Sequence, residues 1–373
     1  MTIRIWTFLL AVLLMAGCTG KQQATSGIYL LAGTYTGKES KGIYIFRLDT
    51  LTGESTATGM AEIPNPSFLA LSPDERFVYA VSENNDESDA VSAFAFDKET
   101  GTLALVNSRP TQGKAPCNIA INSRRTHAVT ANYGGGSISV FPIQPDGSLD
   151  AASQVITFQG SGPVSNRQAS PHLHCIAYSP DGKHLYATDL GTDRIHRFEV
   201  CEPDTEYLGA AHPDAISIEP GSGPRHLTFS PDGRYAYLIN ELSGTVTVLR
   251  NEKGTLEPIQ TIEADPQKAG GSADIRITPD GRYLYASNRL KGDGVAIFGI
   301  NPENGRLTHL GYQPTGAHPR NINITPNGRF LLVACRDKNA IELYRINPQT
   351  GLLTNIQKDI PLSMPVCLVF ASN

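Results

Sequence analysis

A short turn motif recurs along the chain and limits the folds that it can adopt. The motif is a Ser or Thr, then Pro, then Asp or Asn, and then usually Gly. It starts at residues 72, 179, 230, 278 and 325, and a degenerate copy starts at 122. Proline presets φ for a turn and glycine supplies a positive φ. Strand-like apolar runs such as 176–178 and 185–187 flank the motif. Each copy therefore predicts a β-hairpin, and starts spaced 47 to 57 residues apart are typical of β-propeller blades.

The spacing of the motif also predicts the number of blades. A second strand pair follows each hairpin, as in residues 294–300 and 306–310, which gives four strands in about 50 residues. The 356 residues from 18 to 373 then hold seven blades. Because 364–370 resembles the strand before each turn and 28–34 the strand after it, we expect the two chain ends to share one blade and close the ring. The predicted fold is an all-β, seven-bladed propeller of four-stranded antiparallel blades over residues 27–373.

The N-terminus has the features of an export signal. Arg4 precedes an apolar run at 6–16, which is too short for a stable membrane-spanning helix and suits the hydrophobic region of a signal peptide. The run Leu14-Met-Ala-Gly-Cys18 resembles a bacterial lipobox. We predict that 1–17 is a removed signal peptide, that Cys18 carries lipid and that 18–26 is a linker. The protein would then lie in the bacterial cell envelope, on its periplasmic or extracellular face, with the lipid as its only membrane contact; an ordinary signal peptide with a chance cysteine is the alternative.

Charge and cysteine content exclude several classes of function. The net charge is −5 and there is no basic run, so nucleic acid is not an expected partner. Besides Cys18, the chain has an odd number of cysteines, 117, 175, 201, 335 and 367. Because Cys117, Cys175 and Cys367 lie in apolar strand-like stretches, buried thiols are favoured over a disulfide framework. No CxxC motif occurs, so neither a zinc ribbon nor thioredoxin chemistry is indicated.

Polar residues interrupt the apolar strands at two positions of the repeat. The first column, five residues before the turn Ser/Thr, contains Ser67, Cys117, His174, Arg225, Ala273, Arg320 and Val366, and the next position contains Asn118, His226, Asp274 and Asn321. The second column, eleven residues after the turn Ser/Thr, contains Glu83, Tyr133, Leu190, Glu241, Arg289 and Arg336. Both columns fall where hairpin strands begin or end, so they should converge on the central channel at one height and form a ligand site. A solvated channel without chemistry is the alternative.

The residue types in these columns favour an anion site beside acid–base groups. Arg225, Arg289 and Arg320 occur with Glu241 and with the pair His172 and His174. No Gly-x-Ser-x-Gly motif is present, which disfavours a serine hydrolase. The two histidines could be a metal pair, but no third ligand follows at a readable spacing, so neither metal nor cofactor is expected.

Several segments together resemble the lactonase family of seven-bladed propellers, which contains propeller-type 6-phosphogluconolactonases and 3-carboxy-cis,cis-muconate lactonizing enzymes. The similar segments are Gly33–Thr36, Ser170–His174, Gly223–His226, Asn240–Leu242, Ala273–Arg289 and Pro319–Asn321, and the resemblance covers 28–370. It implies a metal-independent site built from the His172/His174 pair, Arg225, Glu241 and Arg289, with a small-molecule lactone as substrate. The predicted export departs from the cytoplasmic location expected of a phosphogluconolactonase.

Lactone hydrolysis assigns a role to each candidate. Either His174 or Glu241 takes a proton from water, and the histidine is favoured because its ordinary pKa lies near neutrality. Arg225 and Arg289 hold the developing oxyanion or the carboxylate, and Arg320 or Arg289 anchors a phosphate or a second acid group. His172, His226 and Asp274 contact the substrate. Because other copies carry neutral residues in these columns, we expect the charges to be surplus to folding. A lactone-forming cycloisomerase and a non-catalytic surface propeller that binds a ligand or protein remain alternatives, and the oligomeric state is left open.

Overall fold

The structure, a computed structural model, describes residues 27–201 and 206–372. All regular elements in these two ranges are β-strands. The predicted lipobox, Cys18 and the linker lie outside the described residues. No helix among the described residues is long and apolar enough to cross a membrane.

Seven sheets, here called blades 1 to 7, are formed by the strands in chain order. Blade 1 contains β1 (Gly27–Thr34), β2 (Gly42–Asp49) and β3 (Ser55–Glu62). Blade 2 contains β4 (Leu69–Leu71), β5 (Phe77–Ser82), β6 (Ala90–Asp97) and β7 (Thr102–Pro110). Blade 3 contains β8 (Pro116–Ile121), β9 (His127–Asn132), β10 (Ser137–Pro142) and β11 (Gln154–Thr157). Blade 4 contains β12 (Leu173–Tyr178), β13 (His184–Asp189), β14 (Arg194–Val200) and β15 (Leu208–Ser217).

The later blades follow the same order. Blade 5 contains β16 (Pro224–Phe229), β17 (Tyr235–Asn240), β18 (Thr245–Glu252) and β19 (Thr255–Glu263). Blade 6 contains β20 (Ser272–Ile277), β21 (Tyr283–Asn288), β22 (Gly294–Ile300) and β23 (Leu307–Pro314). Blade 7 contains β24 (Pro319–Ile324), β25 (Phe330–Cys335), β26 (Ala340–Ile346) and an outer edge divided into β27 (Leu353–Asn355) and β28 (Ile360–Pro361). The last strand, β29 (Pro365–Ala371), returns to blade 1.

The chain ends close the ring as predicted. β29 pairs antiparallel with β1, with Leu30 opposite Phe370 and Leu31 opposite Val369. The first strands of neighbouring blades contact one another around the channel in the order β29, β4, β8, β12, β16, β20 and β24. The prediction of seven antiparallel blades with a shared first blade is confirmed.

The recurrent turn motif has a repeated hydrogen-bonding role. Its Ser or Thr hydroxyl donates to the Asp or Asn two residues later at 2.6–2.8 Å and accepts the N–H five residues later at 2.9–3.0 Å. The motif glycine adopts φ near +70° in four copies, and Glu75 replaces it at φ 54° in blade 2. These bonds fix the hairpin between the two innermost strands in five blades, 2 and 4 to 7.

In four blades, a buried tyrosine that follows the turn motif ties the blade to the next one. The hydroxyls of Tyr79, Tyr186, Tyr237 and Tyr285 donate to the carbonyls of Gly147, Gly254, Gly305 and Gly351, respectively, at 2.7–3.0 Å. Each acceptor lies in the outer hairpin of the following blade. Apolar side chains fill the space between the blades, as in the cluster that includes Leu31, Val78 and Phe94. The stacked blades therefore form a continuous ring-shaped core.

The two faces of the ring are different. The recurrent turns form one face, here called the turn face, where β1 also begins with Gly27 opposite Asp49. The connections that lead into the first strand of each following blade lie on the opposite face, here called the mouth face. The five described cysteines are free thiols, and four of them are buried while Cys201 is exposed. The interpretation of Cys117, Cys175 and Cys367 as buried thiols is confirmed, and Cys335 is a fourth.

Candidate active site

A β-bulge aims the first polar column into the channel. In blade 5, Pro224 pairs with Asn240 and His226 with Ile239, so Arg225 is an extra residue in its strand. Corresponding register shifts fall at Cys117, His174 and Arg320. A bulge turns one side chain away from the regular alternation of a strand. The same irregularity in several blades therefore directs this column toward the ring axis.

One backbone hydrogen bond fixes the second column. The N–H of Glu241 donates to the Gly223 carbonyl at 2.7 Å. Equivalent bonds of 2.9–3.1 Å hold Glu83, Tyr133, Leu190, Arg289 and Arg336. The N–H of Tyr35 donates in the same way to Met364 in blade 1, at 3.1 Å. Tyr35 is thus the seventh member of the column, and counting from the turn motif missed it because blade 1 is divided between the chain ends.

Strained backbone supports this arrangement. The residues that accept these hydrogen bonds have φ between +42° and +68° in five blades: Asn65, Ala115, Gly223, His318 and Met364. Four of the five carry a side chain, although such a conformation favours glycine. Strain of this kind commonly occurs at functional sites. Here it coincides with the level of the two polar columns.

Glu241 is surrounded by three arginines. Its Oε2 lies 2.8 Å from Arg225 Nε and 3.2 Å from Arg289 Nη2, and its Oε1 accepts a hydrogen bond of 2.6 Å from Arg167 Nη2. Arg167 lies in segment 158–172 between β11 and β12, outside the repeat columns, so the sequence comparison between blades could not find it. The structure brings the predicted residues Arg225, Glu241 and Arg289 together and adds Arg167.

These contacts make Glu241 a poor base. Burial alone would raise the pKa of the carboxyl, but Arg289, Arg225 and Arg167 together lower it to about 2. The carboxylate therefore remains ionised at neutral pH and holds the guanidinium groups in place. The alternative in which Glu241 takes a proton from water is not supported. The expectation that the charge of Glu241 is surplus to folding is wrong, because a buried arginine that lacks its carboxylate partner destabilises the fold.

The two histidines of blade 4 lie in different environments. His174 is 5% exposed and contacts Cys117, whose Sγ is 3.8 Å from Nδ1, and the edges of Tyr133 and His226. Burial, with Arg225 and His226, lowers the pKa of His174 well below its ordinary value. His174 is therefore neutral but weakly basic, which argues against the preference for it as the base.

His172 is oriented for proton transfer. Its Nδ1 lies 2.9 Å from the Tyr133 carbonyl, to which only a protonated ring nitrogen can donate. The ring is half-buried and stacks on Tyr133 with 4.5 Å between centroids and 16° between planes. The neutral imidazole then keeps its lone pair on Nε2. His172, and not the favoured His174, therefore has a ring nitrogen held ready to accept a proton.

Asp274 and His226 lie beneath the site. Asp274 is fully buried, and its carboxylate accepts hydrogen bonds from His226 Nδ1 at 2.7 Å and from the Ile322 N–H at 3.0 Å. His226 Nε2 in turn lies 3.3 Å from Arg225 Nη1, and burial and Arg225 lower the pKa of His226 to about 4. The prediction that Asp274 contacts substrate does not fit its complete burial. Both residues position Arg225 instead.

In other blades, the residues equivalent to Asp274 also link one blade to the next. Asn118 accepts the Ile176 N–H at 3.0 Å, Asn321 accepts the Leu368 N–H at 2.8 Å, and Cys367 accepts the Leu69 N–H at 3.3 Å. In each pair the acceptor lies one blade before the donor. The polar residues at this position therefore join the innermost strands to one another.

Arg320, on β24 of blade 7, contacts side chains of blades 1 and 2. Its guanidinium is 5.3 Å from the centroid of the Tyr35 ring, and Nη2 is 3.9 Å from Glu83 Oε2. Arg320 is a weaker phosphate anchor than Arg167, because the charge of Glu83 is offset by Arg320 alone among the described residues whereas that of Glu241 is offset by three arginines. The predicted phosphate contact of Arg320 is therefore not favoured.

The channel mouth carries an excess of positive charge. Four arginines (167, 225, 289 and 320) face two glutamates (83 and 241), which leaves two positive charges. The Asp274 carboxylate beneath them is balanced by Arg276, 3.2 Å away. Arg167 is the most exposed of the four, with 34% of its side chain accessible. Among residues 27–201 and 206–372, no three His, Cys, Asp or Glu side chains stand close enough to hold a metal ion. The arrangement suits an anionic organic ligand.

Comparison with known proteins places this geometry in a family context. The profile of the family described as "Lactonase, 7-bladed beta-propeller" matches residues 29–370. Proteins named 6-phosphogluconolactonase from Formosa agariphila and Bacillus subtilis are 37% and 32% identical over 89% and 91% of this chain and 96% and 97% of their own.

Solved structures give the same result. A Bacteroides fragilis protein, provisionally assigned as a 6-phosphogluconolactonase, has a TM-score of 0.92 and 54% identity over 94% of this chain and 99% of its own. A periplasmic gluconolactonase from Pseudomonas aeruginosa has a TM-score of 0.89 and 34% identity over 93% of this chain and 99% of its own.

The contacts of Glu241 predict how stability depends on pH. Its folded pKa of about 2 lies below the ordinary 4.5, so its contribution is complete above pH 4.5 and is lost as the pH falls toward 2. Denaturant unfolding should show Glu241→Gln to be about 3 kcal/mol or more less stable than wild type at pH 7. The difference should shrink between pH 5 and pH 2.

An exposed glutamate provides the control. Glu257 pairs with Arg250 at the surface, so Glu257→Gln should cost under about 1 kcal/mol at every pH. A difference between wild type and Glu241→Gln that stays constant over this pH range would contradict the assigned ion cluster.

Proposed function

The chain belongs to the lactonase family of seven-bladed β-propellers, and on that premise we propose that it hydrolyses the lactone of a phosphorylated sugar acid, 6-phosphogluconolactone. The excess of two positive charges at the channel mouth carries this proposal, because it occurs in a chain whose net charge is −5. A cationic pocket concentrates anionic substrates. It favours a phosphorylated lactone over neutral gluconolactone.

The reaction begins with attack of water on the lactone carbonyl. His172 Nε2 accepts the proton of the attacking water, since its Nδ1–H is held by the Tyr133 carbonyl. The oxyanion that forms on the carbonyl oxygen meets guanidinium groups at the channel mouth. The C–O bond of the ring then breaks, and protonated His172 returns the proton to the departing ring oxygen. The products are a hydroxyl group and a carboxylic acid, which ionises and releases a proton.

Arg225 and Arg289 are suited to stabilise the oxyanion. Only 2% of the Arg225 side chain and 7% of the Arg289 side chain are exposed, so a ligand in the channel would meet fixed donors. Arg225 uses Nε for Glu241 and Nη1 for the Ala273 carbonyl, and its Nη2 makes no hydrogen bond to a described residue. Burial lowers the pKa of Arg289 to about 9, at which the group is still a cation at neutral pH. Glu241 keeps both guanidinium groups oriented.

Arg167 is suited to the phosphate end of the substrate. It is the most exposed arginine of the cluster, and among the described residues Glu241 is the one carboxylate that pairs with it. The reaction above needs no metal, because the arginines supply the positive charge that a Lewis acid would supply. We propose metal-independent catalysis on this basis.

We also propose that the protein is a lipoprotein of the cell envelope, anchored through Cys18. The lipobox-like run supports the anchor. β1 begins on the turn face, and a linker of nine residues (18–26) reaches at most about 30 Å. An anchored propeller would keep its turn face near the membrane and its mouth face toward the aqueous phase.

The activity can be measured directly. Wild type should release acid from 6-phosphogluconolactone in a pH-stat assay, and the rate should persist in a chelator. His172→Asn and Arg289→Ala should each lower kcat/KM by about 10² or more, since each removes a proton-transfer or oxyanion group. His309→Asn, an exposed histidine on β23, should leave the rate unchanged. Full activity in both site variants, or inactivation by the chelator, would refute the mechanism.

The anchor predicts a change in cell fractionation. Wild type should stay with membranes after high-salt and carbonate washing, and Cys18→Ser should move to the soluble fraction because it lacks the lipid. Cys201→Ser, which alters an exposed thiol, should remain with the membranes. Retention of Cys18→Ser in the washed membranes would show that the anchor lies elsewhere.

A further inference from the structure

One side of the channel carries polar groups that the lactone-opening reaction does not use. Tyr35, Glu83 and Arg320 come from blades 1, 2 and 7, which adjoin one another in the ring. The same backbone hydrogen bond fixes Tyr35 and Glu83 at one height. Blade 1 lies across the ring from blades 4 and 5, which hold His172 and Arg225. A ligand that spans the channel would meet both sides.

The loops that carry Tyr35 and Glu83 are joined rigidly. Asn65 Oδ1 accepts the Thr36 N–H at 2.8 Å, and Asn65 Nδ2 donates to Asn84 Oδ1 at 2.8 Å. Thr36 follows Tyr35, and Asn84 follows Glu83. The two side chains are therefore held in place before any ligand arrives, which lowers the entropy cost of binding.

Glu83 differs from Glu241 in having an unused oxygen. Its Oε2 accepts the Tyr35 hydroxyl at 2.9 Å, and no described residue hydrogen-bonds to Oε1. The nearest cation, Arg320 Nη2, is 3.9 Å away, beyond hydrogen-bond distance. The side chain is 18% exposed. Glu83 therefore offers a carboxylate oxygen to the channel.

Arg320 offers donors next to this acceptor. No described residue accepts a hydrogen bond from its guanidinium, and 15% of the side chain is exposed. Its position over Tyr35 fixes the guanidinium plane near the ring. Burial raises the pKa of Tyr35, so its hydroxyl stays protonated and donates a hydrogen bond to Glu83.

An acceptor and a donor this close match the hydrogen bonding of an alcohol. A hydroxyl both donates and accepts, so it can bond to Glu83 and Arg320 together. A phosphate has only acceptors at its unprotonated oxygens, and Glu83 would repel it. A plain hydrocarbon ring would leave both charged groups without partners.

We propose that Tyr35, Glu83 and Arg320 form a subsite for the adjacent hydroxyl groups of a sugar lactone. Glu83 accepts hydrogen bonds from the hydroxyls, Arg320 donates to them, and Tyr35 positions Glu83. The inference rests on the proposed lactone hydrolysis and deepens it. It restricts the substrate class to polyhydroxylated lactones, with the phosphate bound elsewhere in the channel.

Two lactones that share a six-membered ring test the subsite. D-Glucono-1,5-lactone carries hydroxyls and δ-valerolactone carries none. Glu83→Ala should lower kcat/KM for gluconolactone by about 10- to 100-fold, as expected when hydrogen bonds to a charged group are lost, and that for δ-valerolactone by less than about threefold. Glu83→Gln keeps an acceptor and should lose less, and it carries the test if Glu83→Ala fails to fold. Glu87→Ala, an exposed acid in the same blade, is the matched control.

The outcomes separate the subsite from other roles. Equal loss on both lactones would mean that Glu83 acts on the reacting carbonyl or on the fold, and it would overturn the hydroxyl subsite. Unchanged selectivity in both Glu83 variants would overturn it as well.

A binding experiment separates this inference from the proposed function. Calorimetry with gluconate and hexanoate, which differ in their hydroxyls, needs no turnover. If wild type hydrolyses no lactone, the proposed function fails, yet a preference for gluconate that falls at least tenfold in Glu83→Gln or Glu83→Ala still supports the subsite. Equal gluconate affinity in wild type and both variants would contradict it.

Discussion

Antiparallel pairing between the first and last strands of the propeller holds the seven blades in a closed ring. The site depends on this pairing, because its residues come from every side of the channel and face one another only when the ring is closed. β29 supplies the innermost strand of blade 1, and the hydrogen bond from Tyr35 to Met364 crosses from one chain end to the other. A closed ring also leaves no free edge between blades 1 and 7.

Within the ring, a bulge and a backbone hydrogen bond repeat in successive blades and place variable side chains at one level. The repeated backbone geometry determines where each side chain lies, and the residue type in each blade determines what that side chain can do chemically. Three arginines around Glu241 would be costly to bury without that carboxylate. The remaining positive charge, the oriented His172 and the open carboxylate of Glu83 then give the two sides of the channel different properties. One side carries groups for ester chemistry, and the other carries groups for hydroxyl recognition.

The sequence predicted the ring well and the site only in part. The turn motif, its spacing and the matching chain ends predict the number of blades and the closure of the ring, since both follow from local turn chemistry and chain length. The two columns located Arg225, Glu241 and Arg289, because equivalent positions in a ring converge. They could not reveal Arg167, which comes from an irregular segment, or Tyr35, whose blade has no continuous turn motif. Nor could they show that Asp274 is fully buried or that His172 is better oriented than His174, because burial and tautomer depend on packing between blades.

The central claim is that the arginine-lined mouth of the channel binds and opens an anionic sugar lactone. A crystal structure of the protein with 6-phosphogluconate, the hydrolysis product, tests it most directly. The account predicts the product in the channel, with its carboxylate at Arg225 and Arg289, its phosphate near Arg167 and its hydroxyls at Glu83 and Arg320. Product bound on the turn face, or a channel that stays free of product at saturating concentration, would contradict the account.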